Sequence, residues 1–355
     1  KVDPKTAYQG RAQLIQLINM RNLVFLIVIA IFMASCSKEK FIEQQPTNNQ
    51  GEIKLVTLTD GSKTSVTLLE FSSVEHYEAT ITSLEIQMEQ HEDAFLATWS
   101  SLSDDDLNAK ETEVGFVDHQ PLINFENYYN IPVTLRQVYV AAEEFWLNNE
   151  ELNIETYPKK KYPFSVVEMT LLNGNGEVKI GDKIIKLTEK GFVEIRNLDV
   201  ATLIRINEGD ETAYSEPTVT TNIEFDGGGK GECTNWKGKD YPDYYATDRK
   251  VIKHVHFHSY PWKGVGCAEI TSYKKQGSSW KKYKMDLGVA VQSYFRDKDC
   301  SGSVAQWSGW KYKKAKSIEK NNSIWGAFPQ YRAEKNLSII GYFQYAGYSN
   351  QNVLT

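Results

Sequence analysis

Hydrophobic and polar residues follow two periods along this chain, and the change of period divides it. Residues 53–58 and 65–71 alternate with period two and predict two strands. Ser72-Ser73-Val74-Glu75 then reads as a capping box, which satisfies backbone N–H groups left free at a helix start. The helix it opens carries Tyr77, Ile81, Leu84, Met88, Phe95 and Trp99 on one stripe. His91 shares that stripe and reads as a packing residue. Ser103 followed by Asp104-Asp105-Asp106 predicts a helix start near Leu107; no calcium-loop spacing follows, so the acids read as a cap cluster. Pro132 suits the first turn of a further helix, with Leu135, Val138, Tyr139, Ala142, Phe145 and Trp146 on one face. Residues 176–195 predict short strands joined by turns at Gly181-Asp182 and Lys190-Gly191.

Beyond residue 230 only the shorter period remains. Alternating runs at 251–260, 268–274, 280–291, 324–328 and 337–345 are separated by Gly, Ser, Asn and Asp. Residues 273–283 read as a hairpin with a basic face and a Gly277-Ser278 turn. The expected fold is an α+β N-terminal domain (52–206), a linker (207–230) containing a glycine-rich hinge, and an all-β sandwich or barrel (231–355). No repeat of solenoid or propeller period is present.

One apolar run stands apart from both patterns. Arg21 precedes an uncharged stretch, Leu23 to Met33, and Ala34-Ser35-Cys36 closes it. Eleven helical residues rise roughly 16 Å, too short for a hydrocarbon core of about 30 Å. Charge, apolar core and small residues before a cysteine are the parts of a secretory signal. The ending is similar to the lipobox of bacterial lipoproteins, with Met33 in place of the commoner Leu. The resemblance implies cleavage of residues 20–35, diacylglyceryl transfer to Cys36 and a stable membrane anchor. Residues 1–19 read as an upstream extension, with the start at Met20. Residues 36–51 form a polar tether that reaches about 20 Å as a coil.

Charge sharpens the division. Residues 221–355 hold 21 Lys and Arg against 12 Asp and Glu, a net of +9; the rest carries −15. The same 135 residues hold 23 of the 43 aromatics. This much aromatic content excludes a disordered chain, and a single short apolar run excludes a multi-pass membrane protein. Opposite charge also permits the two halves to dock and hide the basic face.

Three constellations could carry chemistry. His254, His256 and His258 alternate, so a strand would hold three imidazoles on one face, about 6.6 Å apart, where zinc or copper could bind. The plainer reading is a solvated strand face, with Val255 and Phe257 entering the core. The cysteines of the basic half favour a disulfide between Cys233 and Cys300, with Cys267–Cys300 the alternative. Lysines interleave with Trp280 and Tyr283 and with Trp307 and Trp310. Exposed rings could stack on sugars, and lysines could meet acidic glycans or lipopolysaccharide phosphates. The competing reading sends the rings into a core and the lysines outward. No phosphate loop, dinucleotide fingerprint or hydrolase motif occurs, and no catalytic residue is assigned.

Residues 69–77, Trp99, Gly115-Phe116, residues 171–182 and the 273–283 hairpin resemble segments of uncharacterised lipoproteins from Bacteroidetes-type bacteria. That resemblance implies an outer-membrane or periplasmic lipoprotein and no activity. The expectation is a lipid-anchored, non-catalytic cell-envelope binding protein for a glycan or other envelope component. It has no resident cofactor and no nucleic-acid partner. The alternative is a metal-dependent hydrolase or metal-binding protein using the histidine row.

Overall fold

The computed structural model describes residues 51–61, 64–149, 154–223, 233–234, 236–297, 302–326, 331–334 and 339–354. The signal, Cys36, the tether and the glycine-rich hinge lie outside these residues. β-Strands dominate, with helices concentrated before residue 208.

The first sheet contains β1 (Lys54–Thr59), β2 (Ser65–Phe71), β3 (Glu177–Ile180), β4 (Lys183–Thr188), β5 (Gly191–Arg196) and β6 (Val219–Thr221), in that spatial order. All neighbours are antiparallel except β2 and β3, which are parallel. A parallel pair needs a crossover. Here the crossover holds α1 (Val74–Thr98), α2 (Asp104–Val114), α3 (Gln120–Tyr129), α4 (Leu135–Leu147) and α5 (Val166–Leu171). Alternation sends Leu69, Phe71, Ile185 and Phe192 to the face that packs on these helices. Val66, Leu68, Ile184 and Val193 go to the other face, covered by α6 (Val200–Asn207). β6 adds to this sheet from within the segment expected to be a linker.

Local chemistry places the helix ends. The α1 cap is Ser73 rather than Ser72: its hydroxyl accepts from the His76 N–H, while Ser72 Oγ lies 3.1 Å from His76 Nδ1. Ser103 caps α2 and puts three aspartates in its first turn, where the helix dipole favours them. α4 starts at Leu135, three residues after Pro132, because Thr134 and Gln137 form the reciprocal capping box. Its apolar face buries Leu135, Tyr139 and Trp146, but Phe145 is 73% exposed and leaves the expected stripe.

The basic half forms two sheets. The first contains β8 (Trp236–Ala246), β9 (Arg249–Ser259), β10 (Lys263–Gln276), β11 (Ser279–Lys282) and β15 (Ser317–Trp325). The second is built on β12 (Met285–Asp297). β17 (Ile339–Tyr345) and β16 (Tyr331–Glu334) pair along one edge, and β14 (Lys311–Ala315) and β13 (Val304–Trp307) along the other. β18 (Tyr348–Leu354) and β7 (Cys233–Thr234) complete it. Val255, Phe257 and Ile270 of one sheet and Val289, Val291 and Phe343 of the other share one core.

The helices meet these sheets through ion pairs. Lys284, with no exposed side-chain surface, reaches Glu111 at 2.8 Å, Asp118 at 3.0 Å and Glu92 at 3.2 Å. The Asn108 side chain accepts from the Lys284 N–H at 2.7 Å and donates to its carbonyl at 2.8 Å, clamping the start of β12 to α2. Lys316 shares Glu111 and Asp118, and Lys313 pairs with Glu92 and Asp93. Asp105 receives Lys274, Arg249 and the Tyr283 hydroxyl. Burial opposes the Lys284 charge, yet Asp118, Glu92 and Glu111 hold its pKa above the usual lysine value. Removing one member leaves buried carboxylates uncompensated. Lys284→Met is expected to cost about 3–5 kcal/mol in urea unfolding. Lys110→Met, which removes the exposed Lys110–Glu113 pair and the contact of the Lys110 ammonium with the Trp99 ring, is expected to cost less than about 1 kcal/mol.

Candidate functional site

The even positions of β9 face the helices, and the odd positions Val251, Val255 and Phe257 enter the sheet–sheet core. His254, His256 and His258 are therefore buried, at 2%, 2% and 6% exposure, and the solvated face expected from the sequence is not found. Ring centroids are 4.8 Å apart for His254–His256 and 5.1 Å for His256–His258, the second pair stacked within 19°. The rings stand in file rather than converge. Among the described residues no group of three or more His, Cys, Asp or Glu side chains is placed to hold a metal ion.

The file is the middle of a longer polar seam. Asp240 Oδ1 lies 2.7 Å from His254 Nδ1. At the other end His258 Nε2 lies 2.5 Å from the Tyr260 hydroxyl, which donates to Glu168 Oε2 of α5 at 2.5 Å. Tyr260 has one proton: when Glu168 is ionised and accepts it, His258 Nε2 carries the hydrogen of the other bond. Its Nδ1, with His256 Nδ1, His254 Nε2 and Glu168 Oε1, is buried without a hydrogen-bond partner. Burial pushes the His256 and His258 pKa values well below 6.5, and neighbouring positive charges add to it. Burial also raises Glu168 to about 7. Beside the row, Lys159 Nζ sits 2.8 Å from Glu269, which lies opposite His254 across the β9–β10 ladder. Cys267, opposite His256, is a free buried thiol with its pKa pushed up by burial. Cys300 and the side chain of Cys233 lie outside the described residues.

The four aromatic candidates separate into two places. Trp280 covers Lys250, whose ammonium lies 4.3 Å from that ring centroid and within 5.6 Å of Trp146, Tyr244 and Tyr273. Burial lowers Lys250 to about 8, while the ring faces favour its cation. Tyr283 is buried and bonded to Asp105. Both belong to the seam with the helices.

Trp307 and Trp310 lie on the outer face of the second sheet. They stand in a row with Tyr312, a member of the same Lys–aromatic run, and with Tyr342, which sequence reasoning missed. Trp307 meets Tyr342 edge-on at 5.1 Å, Tyr342 lies 6.4 Å from Trp310, and Trp310 stacks on Tyr312 at 5.4 Å and 12°. Trp307 is 51% exposed and Tyr312 60%. β14 thus reverses the alternation expected of a core-filling strand. Tyr312 turns to solvent, whereas Lys311 and Lys313 turn toward carboxylates of α1. Gly288 makes this possible: a Cβ there would come within 2.6 Å of the Tyr312 ring. The row runs into a cleft of about 530 Å³ between β12, β14 and the β17–β18 turn, lined by Tyr312, Tyr348, Asp286, Gln344 and Ser349. That volume suits a small ligand.

No family model matches the chain, and no curated protein matches it. Among solved structures the chain is similar to a DUF4848 family protein from Bacteroides thetaiotaomicron, with 13% identity over 83% of this chain and 95% of the other. The TM-score is 0.19, so the likeness carries no argument about fold or function. No described helix is long and apolar enough to cross a membrane.

The seam gives the fold a pH signature. Glu168 binds its proton more tightly folded than unfolded, so it subtracts stability as pH rises from about 4.5 through about 7. His256 and His258 act oppositely, since their folded forms resist protonation and stability falls as pH drops below about 6.5. Against Glu168→Gln, the wild type is expected to lose on the order of 3 kcal/mol between pH 5 and 8 in urea unfolding. Parallel curves for the two proteins would show that Glu168 does not titrate in this range.

Proposed function

We propose that this chain is a lipid-anchored cell-envelope protein that binds carbohydrate without catalysis, through the aromatic outer face of its second β-sheet. The observation that carries the reading is the exposed row Trp307–Tyr342–Trp310–Tyr312 leading into the cleft. Large rings left in water on a rigid sheet cost free energy unless something covers them. Flat apolar rings beside amide and hydroxyl groups suit a ligand with apolar C–H faces and a polar rim, as a pyranose has. The histidine row does not compete for this role, because it is sealed between β9 and the helices and its free nitrogens point along a file.

The rest of the proposal follows from sequence. Cys36 carries the lipid, residues 36–51 tether the folded body, and the anchor places the protein in the outer membrane, facing periplasm or cell surface. An acidic α+β domain and a basic all-β sandwich domain follow the tether, and the envelope is the partner. Nucleic acid is not, because the lysines that suggested it are held by carboxylates.

Two experiments test this. Cys36→Ser is expected to move the protein from the membrane fraction to the soluble fraction; retention at the membrane would overturn the anchor. On a glycan array, Trp310→Ala and Tyr312→Ala are expected to weaken binding about tenfold or more, with unfolding midpoints unchanged. Equal binding by wild type and both variants would remove the platform from the reading.

A further inference from the structure

We infer that the ligand of the aromatic row is an uncharged glycan, and that acidic glycans and phosphorylated lipid headgroups are excluded from it. The inference rests on the carbohydrate reading above and narrows it. The lysines beside the row look, in sequence, like a basic patch made for anions. In the fold all four of the 311–316 segment are already engaged. Lys313 lies 3.0 Å from Glu92 and 2.9 Å from Asp93. Lys316 lies 2.9 Å from Glu111 and 2.7 Å from Asp118. Lys314, on the same face as Tyr312, pairs with Asp104 and with Asp286 at 3.3 Å. Burial raises the Glu85 and Glu319 pKa values, and Lys311 lies near enough to both to oppose that rise.

The most exposed charge at the cleft is of the other sign. Asp286 has 81% of its side chain in solvent and pairs with Lys314 at 3.3 Å. An acidic ligand would meet that carboxylate and would have to draw Lys313 and Lys314, which also line the cleft, from the carboxylates each already holds. The other polar groups of the lining are neutral. Gln344 and Ser349 line the cleft, and Gln292 accepts from the Tyr342 hydroxyl at 3.2 Å on the row itself. Amides and hydroxyls both donate and accept, which is the complement of a sugar hydroxyl and not of a carboxylate or phosphate.

The test uses the full chain on an array carrying neutral β-glucans and galactomannans beside polygalacturonate, heparin and lipopolysaccharide, at low salt and at about 0.3 M salt. The expected result is binding to neutral glycans that changes less than about twofold with salt and is lost in Trp310→Ala. Salt-sensitive binding to the acidic probes alone, lost in the same variant, would overturn this inference and leave the carbohydrate reading standing. Binding to no glycan of either class would overturn both.

Discussion

A lysine with no exposed surface, surrounded by three carboxylates from a different part of the chain, is the contact on which this architecture turns. Lys284 sits where β12 begins, and Glu92, Glu111 and Asp118 come from α1, α2 and the loop after α2. A surface pair of this kind would contribute little. Here the charges are out of water, so every member must be present for any member to be tolerable. Lys316, which shares Glu111 and Asp118, extends the same condition, and the more exposed pairs of Lys313, Lys314 and Lys274 add contacts along the junction. Geometry is thereby imposed: the helical layer can sit on the sheets in the register that satisfies all of these groups together.

The exposed aromatic row is a by-product of that demand. β14 has two sides, and Lys311 and Lys313 are needed on the side that faces α1. Tyr312 is left on the other, over Gly288, next to Trp310. The polar seam of β9 obeys a related rule. Its odd side chains are taken by the sheet–sheet core, so its even ones, the three histidines, must pack on the helices, with His256 stacked on His258 where burial disfavours a charge on either ring.

Much of the architecture was legible before any coordinates. β3, β4 and β5 were readable because two-residue turns with Gly181 and Gly191 separate clean alternations. The Ser103 cap and the 273–283 hairpin were readable for similar local reasons. The opposite charges of the two halves and the possibility of their docking were also visible. β8 was not, because it is a sheet-edge strand carrying Pro242 and many polar residues, which dilutes the pattern. The run 280–291 was read as one strand, yet it breaks at Tyr283 and Lys284, where two side chains are drawn to distant acids. Residues 324–328 were read as a strand, but β15 ends at Trp325. The direction of the Lys–aromatic alternation was invisible, because only the partner helix decides which side counts as inside. Tyr342 was missed as a member of the row because sequence separates it from Tyr312 by thirty residues, and β12 brings the two together.

The parallel pairing of β2 with β3 has a temporal meaning. Glu70 and Lys179, partners in that ladder, are 109 residues apart, and the Lys179 ammonium bonds the Glu70 carboxylate across the same gap. A ribosome or a secretion channel delivers β1 and β2 long before it delivers β3. A two-stranded ribbon is barely stable in water by itself. The entropy of closing so long a loop must be met before the sheet rewards it, and topologies of this kind fold slowly. Until β4, β5 and α6 arrive, Val66 and Leu68 lack the partners that bury them, while Leu69 and Phe71 have only the helices that follow them. The emerging chain thus carries a half-built core through much of its synthesis and closes its first sheet only after the whole helical layer has been made.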